Sequence, residues 1–273
     1  MPSKSLDLGA PLVGLTVLLL SCLACEETPK PAATQPSAAP APVASGSAPA
    51  SSEPASEPAK PNKPRKKLED CPKGAEIKFD SPEIEQAVRF KLQKTGGVIT
   101  KADLTKLKSL NLSQIEGLQE LDICLFAHAK QLKELFLGRG EIDDLSPIAG
   151  LTQLETLRAS MNPIKDIGPL EKMTKMDRLD LALTQVSDLT PLAGMTELTF
   201  LMLDNTQVED LTPLGKLTKL ERLDVQRTKV KDFRPLAGLK SLKFLYVSGC
   251  PGELDAATHL GALAQGGLRI MTD

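Results

Sequence analysis

A leucine pattern that repeats along the second half of the chain limits its fold more than any other feature. Each copy reads L-x-x-L-x-L, with Ala, Met or Val at some positions. The copies begin at Leu107, Leu132, Leu154, Met176, Leu198, Leu220 and Leu242. The first step is 25 residues and each later step is 22. One copy is too short to bury its own leucines, so the pattern predicts copies that stack into a continuous core.

Two other residue series keep the same spacing. A proline series runs from Pro147 to Pro235, and an aspartate series runs from Asp144 to Asp232. The whole pattern resembles leucine-rich repeats, and the D-[LIF]-x-P-[LI]-x-x-[LM] half of each copy resembles the internalin-type subgroup of bacteria. This resemblance covers roughly residues 80–273. It implies an α/β solenoid with a curved parallel sheet on its concave face, short 3₁₀ or irregular convex segments and a small helical N-terminal cap.

We divide the chain into five segments. They are a lipoprotein signal peptide (1–21), a lipidated Cys with an Ala/Pro/Ser-rich disordered tether (22–68), an N-terminal cap (69–106), the repeats (107–251) and a C-terminal cap (252–273). Ser81 is the expected N-cap of a cap helix that ends at Gly96-Gly97, and Thr100 is expected to start a second helix. In the C-terminal cap we expect a helix over residues 254–265 and a last edge strand over residues 268–270.

The start of the chain predicts export. An apolar run over residues 9–21 is shorter than the ~20 residues that span a bilayer, which favours a signal peptide. It ends Leu19-Leu20-Ser21-Cys22, which resembles the lipobox of bacterial lipoproteins and implies a lipid on Cys22. Lipidation of Cys25 and an ordinary signal peptide are the alternatives. Leu23 follows the proposed lipid site, so we expect a lipid anchor in the bacterial cell envelope, with the outer membrane favoured.

A proline-rich segment follows the proposed lipid site. It holds ten prolines between Glu27 and Lys66, a composition that predicts a disordered tether. Its far end is basic, with Lys60, Lys63, Arg65, Lys66 and Lys67. Contact with anionic head groups or wall polymers and a simply solvated linker end both stay open. The net charge of −2 gives no general attraction to nucleic acid.

Three cysteines follow the lipobox region. An exported protein meets an oxidising compartment, so a disulfide between Cys71 and Cys124 could fasten the cap to the first repeat. Cys250 falls at position nine of the repeat, where Asn or Cys is accepted, and we expect a structural role for it. Position nine is Thr in three other copies, where the hydroxyl is expected to replace part of the turn bonding of Asn.

Strand alternation predicts which side chains reach solvent on the concave face. Positions three and five of the later copies carry large apolar side chains next to charged ones. We predict a partner-binding surface of Phe200, Met202, Phe244, Tyr246, Arg178, Arg222, Asp180 and Asp224. Apolar groups edged by Arg are typical of protein contact sites. A self-satisfied surface is the alternative, with Arg222 stacked beside Phe200 and Phe244 and Arg158 paired with Asp180.

These features favour a membrane-anchored binding module that contacts an unidentified protein. The alternatives are a structural spacer of the envelope and a hydrolase that uses Asp180 and Asp224. We expect no enzyme, because both carboxylates are expected on an open surface with Arg neighbours that keep them ionised. We also expect no cofactor, no nucleic-acid partner, no metal site and a monomer; His128 and His259 lie too far apart in the array to share a metal.

Overall fold

The computed structural model describes residues 65–272. The predicted signal peptide, Cys22, Cys25 and the tether before Arg65 lie outside these residues. Within the described range, the helices are all too short or too polar to cross a bilayer.

Eight parallel strands form one sheet in the order of the chain. They are β1 (Ser109–Leu112), β2 (Glu134–Leu137), β3 (Thr156–Arg158), β4 (Arg178–Asp180), β5 (Phe200–Met202), β6 (Arg222–Asp224), β7 (Phe244–Tyr246) and β8 (Arg269–Met271). Each repeat contributes one strand, and β8 comes from the C-terminal cap. The predicted leucine-rich repeat solenoid is therefore confirmed.

The leucines of neighbouring copies pack in register. Leu157, Leu179, Leu201 and Leu223 are direct partners on successive strands, and each is at most 1% exposed. Because side chains alternate along a strand, the residues on either side of each leucine point away from this core. The sheet face made by positions three and five is called the open face below; it is the predicted concave face.

Short 3₁₀ turns lie on the other side of the core. Their bounds are Ser146–Ile148, Gly168–Leu170, Thr190–Leu192, Thr212–Lys216 and Arg234–Leu236. The repeated aspartate precedes each of them, and its Oδ1 accepts a hydrogen bond of 2.7–2.9 Å from the backbone N–H two residues later. The repeated proline follows inside the turn, where its fixed φ suits the tight backbone. The aspartate series is thus a series of turn caps, a role that the spacing alone did not reveal.

Position nine closes the turn after each strand. Asn162 donates from Nδ2 to Ser160 O at 2.9 Å and also reaches Gly138 O of the preceding copy at 3.0 Å. The hydroxyls of Thr184 and Thr206 donate to the carbonyl three residues earlier, at 2.7 and 2.6 Å. As expected, Thr supplies part of this bonding; the hydrogen bonds of Thr184 and Thr206 stay within their own copies, whereas Thr228 Oγ1 also lies 3.3 Å from Cys250 Sγ of the next copy.

The N-terminal cap is helical. Helix α1 (Pro82–Leu92) begins at Ser81, whose Oγ accepts from Ile84 N, and α2 (Lys101–Leu104) begins with the expected capping box of Thr100 and Asp103. The predicted end of α1 at Gly96-Gly97 is wrong: Gln93 already adopts left-handed angles and ends the helix. A further helix, α3 (Ile123–Phe126), takes the place of the 3₁₀ turn in the longer first copy.

The C-terminal cap holds two helices where we predicted one. They are α4 (Glu253–His259) and α5 (Gly261–Gln265). The chain leaves helical geometry at Leu260, which is 1% exposed and belongs to the core. Leu260 is thus a buried residue between the two helices.

Two links hold the start of the described chain to the solenoid. Cys71 and Cys124 form a disulfide across 53 residues, the same pairing that the sequence suggested. Arg65 lies 2.7 Å from Asp143 and Lys66 lies 2.8 Å from Asp80. Arg65 and Lys66 are thus paired with carboxylates of the folded domain. Neither contact with an anionic surface nor a simply solvated linker end describes these two residues.

The residue before position nine has left-handed backbone angles in successive copies. Its φ is 59° at Met161, 56° at Leu183, 55° at Asn205 and 54° at Arg227. The conformation is imposed by stacking, because the N–H of Leu183 donates to Asp204 O of the next copy at 2.8 Å. Side chains other than Gly and Asn are strained there by about 1–2 kcal/mol.

We expect Leu183→Asn to raise the free energy of unfolding by about 1 kcal/mol relative to Leu183→Ala. Asn tolerates the left-handed region and already stands at the same position of the next copy, whereas Ala keeps the strain. The measurement is equilibrium urea unfolding of both variants. Equal stability of the two would contradict a strained backbone at this position.

Candidate functional site

The predicted binding residues lie side by side on β4 to β8. Position three forms a row that we call the arginine row: Arg178, Phe200, Arg222, Phe244 and Arg269. Position five forms a second row, the aspartate row: Asp180, Met202, Asp224, Tyr246 and Met271. All eight predicted residues belong to these two rows. The structure adds Arg269 and Met271, which sequence reasoning missed because β8 belongs to the cap and lacks the repeat pattern.

The arginine row is a series of guanidinium groups against aromatic rings. The Cζ atom of Arg222 lies 5.3 Å from the ring centre of Phe200 and 4.5 Å from that of Tyr246. Arg178 lies 5.9 Å from Phe200. Such contacts combine ring packing with attraction between the cation and the ring face.

The sequence interpretation placed Arg222 beside Phe200 and Phe244. The contact with Phe200 is confirmed, but the second ring is that of Tyr246 and not that of Phe244. Phe244 is the direct neighbour in register, but a long side chain also reaches the diagonal residue two positions along the next strand. Phe244 instead lies under Arg269, with a distance of 5.9 Å.

Among residues 65–272, Arg222 and Arg269 take part in no ion pair or hydrogen bond through their side chains. The Nε atom of Arg222 is buried without a partner. Arg178 has one carboxylate nearby, that of Asp177 at 3.6 Å. Within the described part of the chain, Arg222 and Arg269 therefore hold hydrogen-bond donors without acceptors.

The two carboxylates of the aspartate row have different surroundings. Asp180 accepts from Arg158 Nε at 3.1 Å, as predicted, and from Ser160 Oγ at 3.3 Å. Asp224 has Met202 and Tyr246 as its direct partners in register, and it is only 5% exposed. Its Oδ1 accepts from the backbone N–H of Gln226.

Burial raises the pKa of Asp224, and the negative charge of Asp204 adds to this effect. The hydrogen bond from Gln226 and the charge of Arg222 oppose it without cancelling it. The expectation that Asp224 lies on an open surface is therefore wrong, whereas the charge of Arg222 does favour its ionised form, as expected. Met202 and Tyr246 exclude water from this carboxylate, and the sequence pattern does not report that shielding.

Asp204 was missed as a site residue. It stands at position seven, just after β5, where the other copies carry Gly138, Ser160, Ala182, Gln226 and Ser248. Its Oδ1 is buried without a partner, while its Oδ2 accepts from Asn205 Nδ2 at 3.0 Å. Among these copies, Asp204 is the one charged residue at position seven. This difference is the signal that could have identified it as a site residue.

The described residues bring together no group of three His, Cys, Asp or Glu side chains able to hold a metal ion. His259 lies in α4, with Nδ1 3.8 Å from Asp232 at a turn on the opposite side of the core, and His128 follows α3. What the open face offers is a mixed surface of rings, unused Arg donors and one buried carboxylate, which suits contact with another protein.

Comparisons with known proteins agree with the fold. The family described as leucine-rich repeats (two copies) matches residues 152–194. Internalin C2 of Listeria monocytogenes is similar in structure, with 25% identity and a TM-score of 0.56 over 71% of this chain and 94% of that one. Internalin F of the same organism has 28% identity and a TM-score of 0.51, over 63% of this chain and 57% of that one.

A leucine-rich repeat protein of Leptospira interrogans shares the fold, with 22% identity and a TM-score of 0.57 over 62% of this chain and 44% of that one. A search of curated proteins finds no match. The repeats and the similarity to the two internalins support an internalin-like leucine-rich repeat protein. This fold is typical of modules that bind other proteins.

We expect Asp224→Asn to make the protein more stable at pH 7. A carboxyl group whose pKa is raised by folding destabilises the native state wherever it is ionised, and Asn keeps an oxygen for the Gln226 N–H. The gain should vanish as the pH falls below about 3.9, the ordinary pKa of Asp. Urea unfolding at several pH values measures it.

Asp180→Asn is the matched control, because Asp180 occupies the same row and the same R-L-D triplet. Its carboxylate is paired with Arg158, so this substitution should not stabilise the protein. A similar gain in both variants would show that burial of Asp224 is not the cause.

Proposed function

We propose that this protein is a membrane-anchored recognition module of the bacterial cell envelope, which binds another protein through the open face of β4 to β8. The observation that carries the proposal is the arginine row, where half-buried rings alternate with guanidinium groups, two of which, those of Arg222 and Arg269, have no acceptor among residues 65–272. Tyr and Arg are enriched among residues that dominate binding energy in protein interfaces.

The rings are well placed for such contacts. Phe200, Phe244 and Tyr246 are each partly exposed, and each ring is held by contact with an arginine side chain. A rigid, partly exposed ring loses little conformational entropy when a partner covers it. The buried carboxylate of Asp224 adds to the argument, because a group that costs stability is typical of sites retained for function.

The anchor is the second part of the proposal. Its support is the sequence Leu19-Leu20-Ser21-Cys22, which resembles a lipobox, and the proline-rich segment after it. Two or more acyl chains hold a protein on a membrane where one is marginal. Anchoring would raise the concentration of the binding face near a partner in the same envelope.

A structural spacer is the second candidate function. Ion pairs that join neighbouring copies favour it: Lys133–Glu155, Lys219–Glu197 and Lys243–Glu221, with N–O distances of 2.6–2.9 Å. These pairs suit a solenoid whose task is to keep its shape. A spacer does not need unused donors on the open face, and this difference is tested below.

We expect the Phe200→Ala/Tyr246→Ala double variant to lose a specific partner that the wild type captures from envelope extract. Both rings pack against Arg222, so their removal takes away apolar contact and the support of that guanidinium. Cross-linking, affinity capture and mass spectrometry measure the loss, and thermal unfolding confirms that the variant is folded.

Phe90→Ala is the matched control for this experiment. Phe90 is an aromatic residue that is 83% exposed on α1, outside the open face. It should capture the same partner as the wild type. Identical captured proteins for all three forms would favour the spacer and sink the recognition proposal.

We expect Cys22→Ser to release the protein from the membrane fraction into the soluble fraction, because the proposed acyl chains could no longer be attached. Fractionation with immunoblotting and mass analysis of the mature N-terminus measure the effect. Cys25→Ser is the control and should stay membrane-bound. The reverse outcome would move the anchor to Cys25, and no release by either variant would refute a lipid anchor.

A further inference from the structure

The three arginines of the arginine row stand at equal intervals. Arg178, Arg222 and Arg269 lie on β4, β6 and β8, and the intervening strands place Phe200 and Phe244 between them. Parallel neighbours are about 4.8 Å apart, so successive arginines are separated by about 9.6 Å across the strands. The row is therefore a regular alternation of cation and ring.

The guanidinium groups are prepared for anionic ligands. A guanidinium that rests with its face on a ring keeps the N–H groups in its plane available, and these match the two oxygens of a carboxylate. Stacking also restricts the side chain before binding, which lowers the entropy lost when a ligand is bound. Arg222 has rings within 5.3 and 4.5 Å, and its Nε is buried, so the terminal N–H groups are the donors that the proposal assigns to a ligand.

Two other arginines, at positions five and eight of their copies, differ in this respect. Arg158 donates to Asp180 at 3.1 Å, and Arg227 donates to Asn205 at 2.9 Å. The carboxylates of the aspartate row do not supply the missing acceptors, since Asp224 accepts instead from the Gln226 backbone. On the open face of the described residues, the unused donors are thus those of Arg222 and Arg269 in the arginine row.

We propose that the arginine row binds an acidic, proline-containing segment of a partner protein, with a carboxylate at every third residue. The proposal rests on the proposed function, since it names the chemistry of the partner that the open face recognises. Carboxylates would meet Arg178, Arg222 and Arg269, and the residues between them would lie on Phe200 and Phe244.

The spacing selects this conformation of the segment. A polyproline II helix rises about 3.1 Å per residue with three residues per turn, so every third side chain lies on one side at intervals of about 9.3 Å. A β-strand places side chains on one side at about 6.8 Å, and an α-helix does so every two turns at about 10.8 Å. Only the polyproline II interval stays close to 9.6 Å over three arginines.

The rings favour a peptide over other anions. Proline-rich segments dock in grooves lined by aromatic side chains, and Phe200 and Phe244 supply such contacts between the cations. Met271, which is 42% exposed beside Tyr246, extends the apolar surface at the C-terminal edge. A phosphate group of a lipid or a polymer would use the arginines and leave these apolar side chains uncovered.

The test uses the purified full chain and three synthetic peptides. The probe is acetyl-(Glu-Pro-Pro)₃-amide, its neutral control replaces Glu by Gln, and its spacing control has the same composition with the three Glu residues adjacent. Isothermal titration calorimetry at low salt measures affinity. We expect the probe to bind at least about tenfold more tightly than either control, the size expected for charge-assisted hydrogen bonds.

Variants then assign the binding to the arginine row. Arg222→Gln and Arg269→Gln should each weaken probe binding by about tenfold. Arg269 is exposed at the sheet edge, so its variant tests the proposal even if Arg222→Gln unfolds. Arg234→Gln is the matched control: it removes the same charge from an exposed residue that is paired with Asp232 at a 3₁₀ turn, and it should bind like the wild type.

Several outcomes would overturn the proposal. They are no binding of the probe, equal binding of the spacing control, an equal loss in Arg234→Gln, or arginine-dependent binding of phosphatidylglycerol vesicles without binding of the probe. Recognition itself is judged separately. If Phe200→Ala/Tyr246→Ala loses its captured partner while the probe does not bind, the open face recognises proteins but the acidic segment is refuted.

Discussion

The in-register packing of one leucine per copy is the constraint on which the rest of the structure depends. It brings the central leucines of successive strands into direct contact, so the strands must be parallel and evenly spaced. Even spacing then turns equivalent positions into rows across the open face. The arginine row exists because each strand pairs in register with the next; the 25-residue steps from β1 to β2 and from β7 to β8 keep that register, since the extra residues lie between the strands.

The regular stacking of the strands requires special backbone conformations in the turns between them. A copy of 22 residues must reverse direction twice, and the structure does so with a capped 3₁₀ turn and a left-handed residue. The hydroxyl of Thr190 and its backbone N–H both hold the carboxylate of Asp188, which lowers its pKa. At Leu183 the backbone is strained instead, and the hydrogen bond to the next copy maintains the conformation. Stacking thus stabilises local geometry that one copy alone would not keep.

The sequence predicted the rows but not the surroundings of the side chains in them. Position along a strand determines which face a residue occupies, so the period alone placed Phe200 and Arg222 side by side. It could not place the guanidinium of Arg222 on Tyr246, since that depends on how a long side chain leans across the sheet. The pairing of Arg65 with Asp143 was missed for the same reason, because it joins two residues far apart in the sequence and no local pattern encodes it.

The triplet Arg-Leu-Asp occurs on both β4 and β6. Its two copies have the same sequence but different neighbours. On β4 the preceding strand offers Arg158, and Asp180 is satisfied by it. On β6 the preceding strand offers Met202 and the next offers Tyr246, so the same carboxylate is buried beside apolar atoms. Identical triplets therefore acquire different properties from their neighbours in register. A solenoid can build a specific surface in this way: the repeated leucines keep the scaffold constant, and changes at positions three and five of adjacent copies create the site.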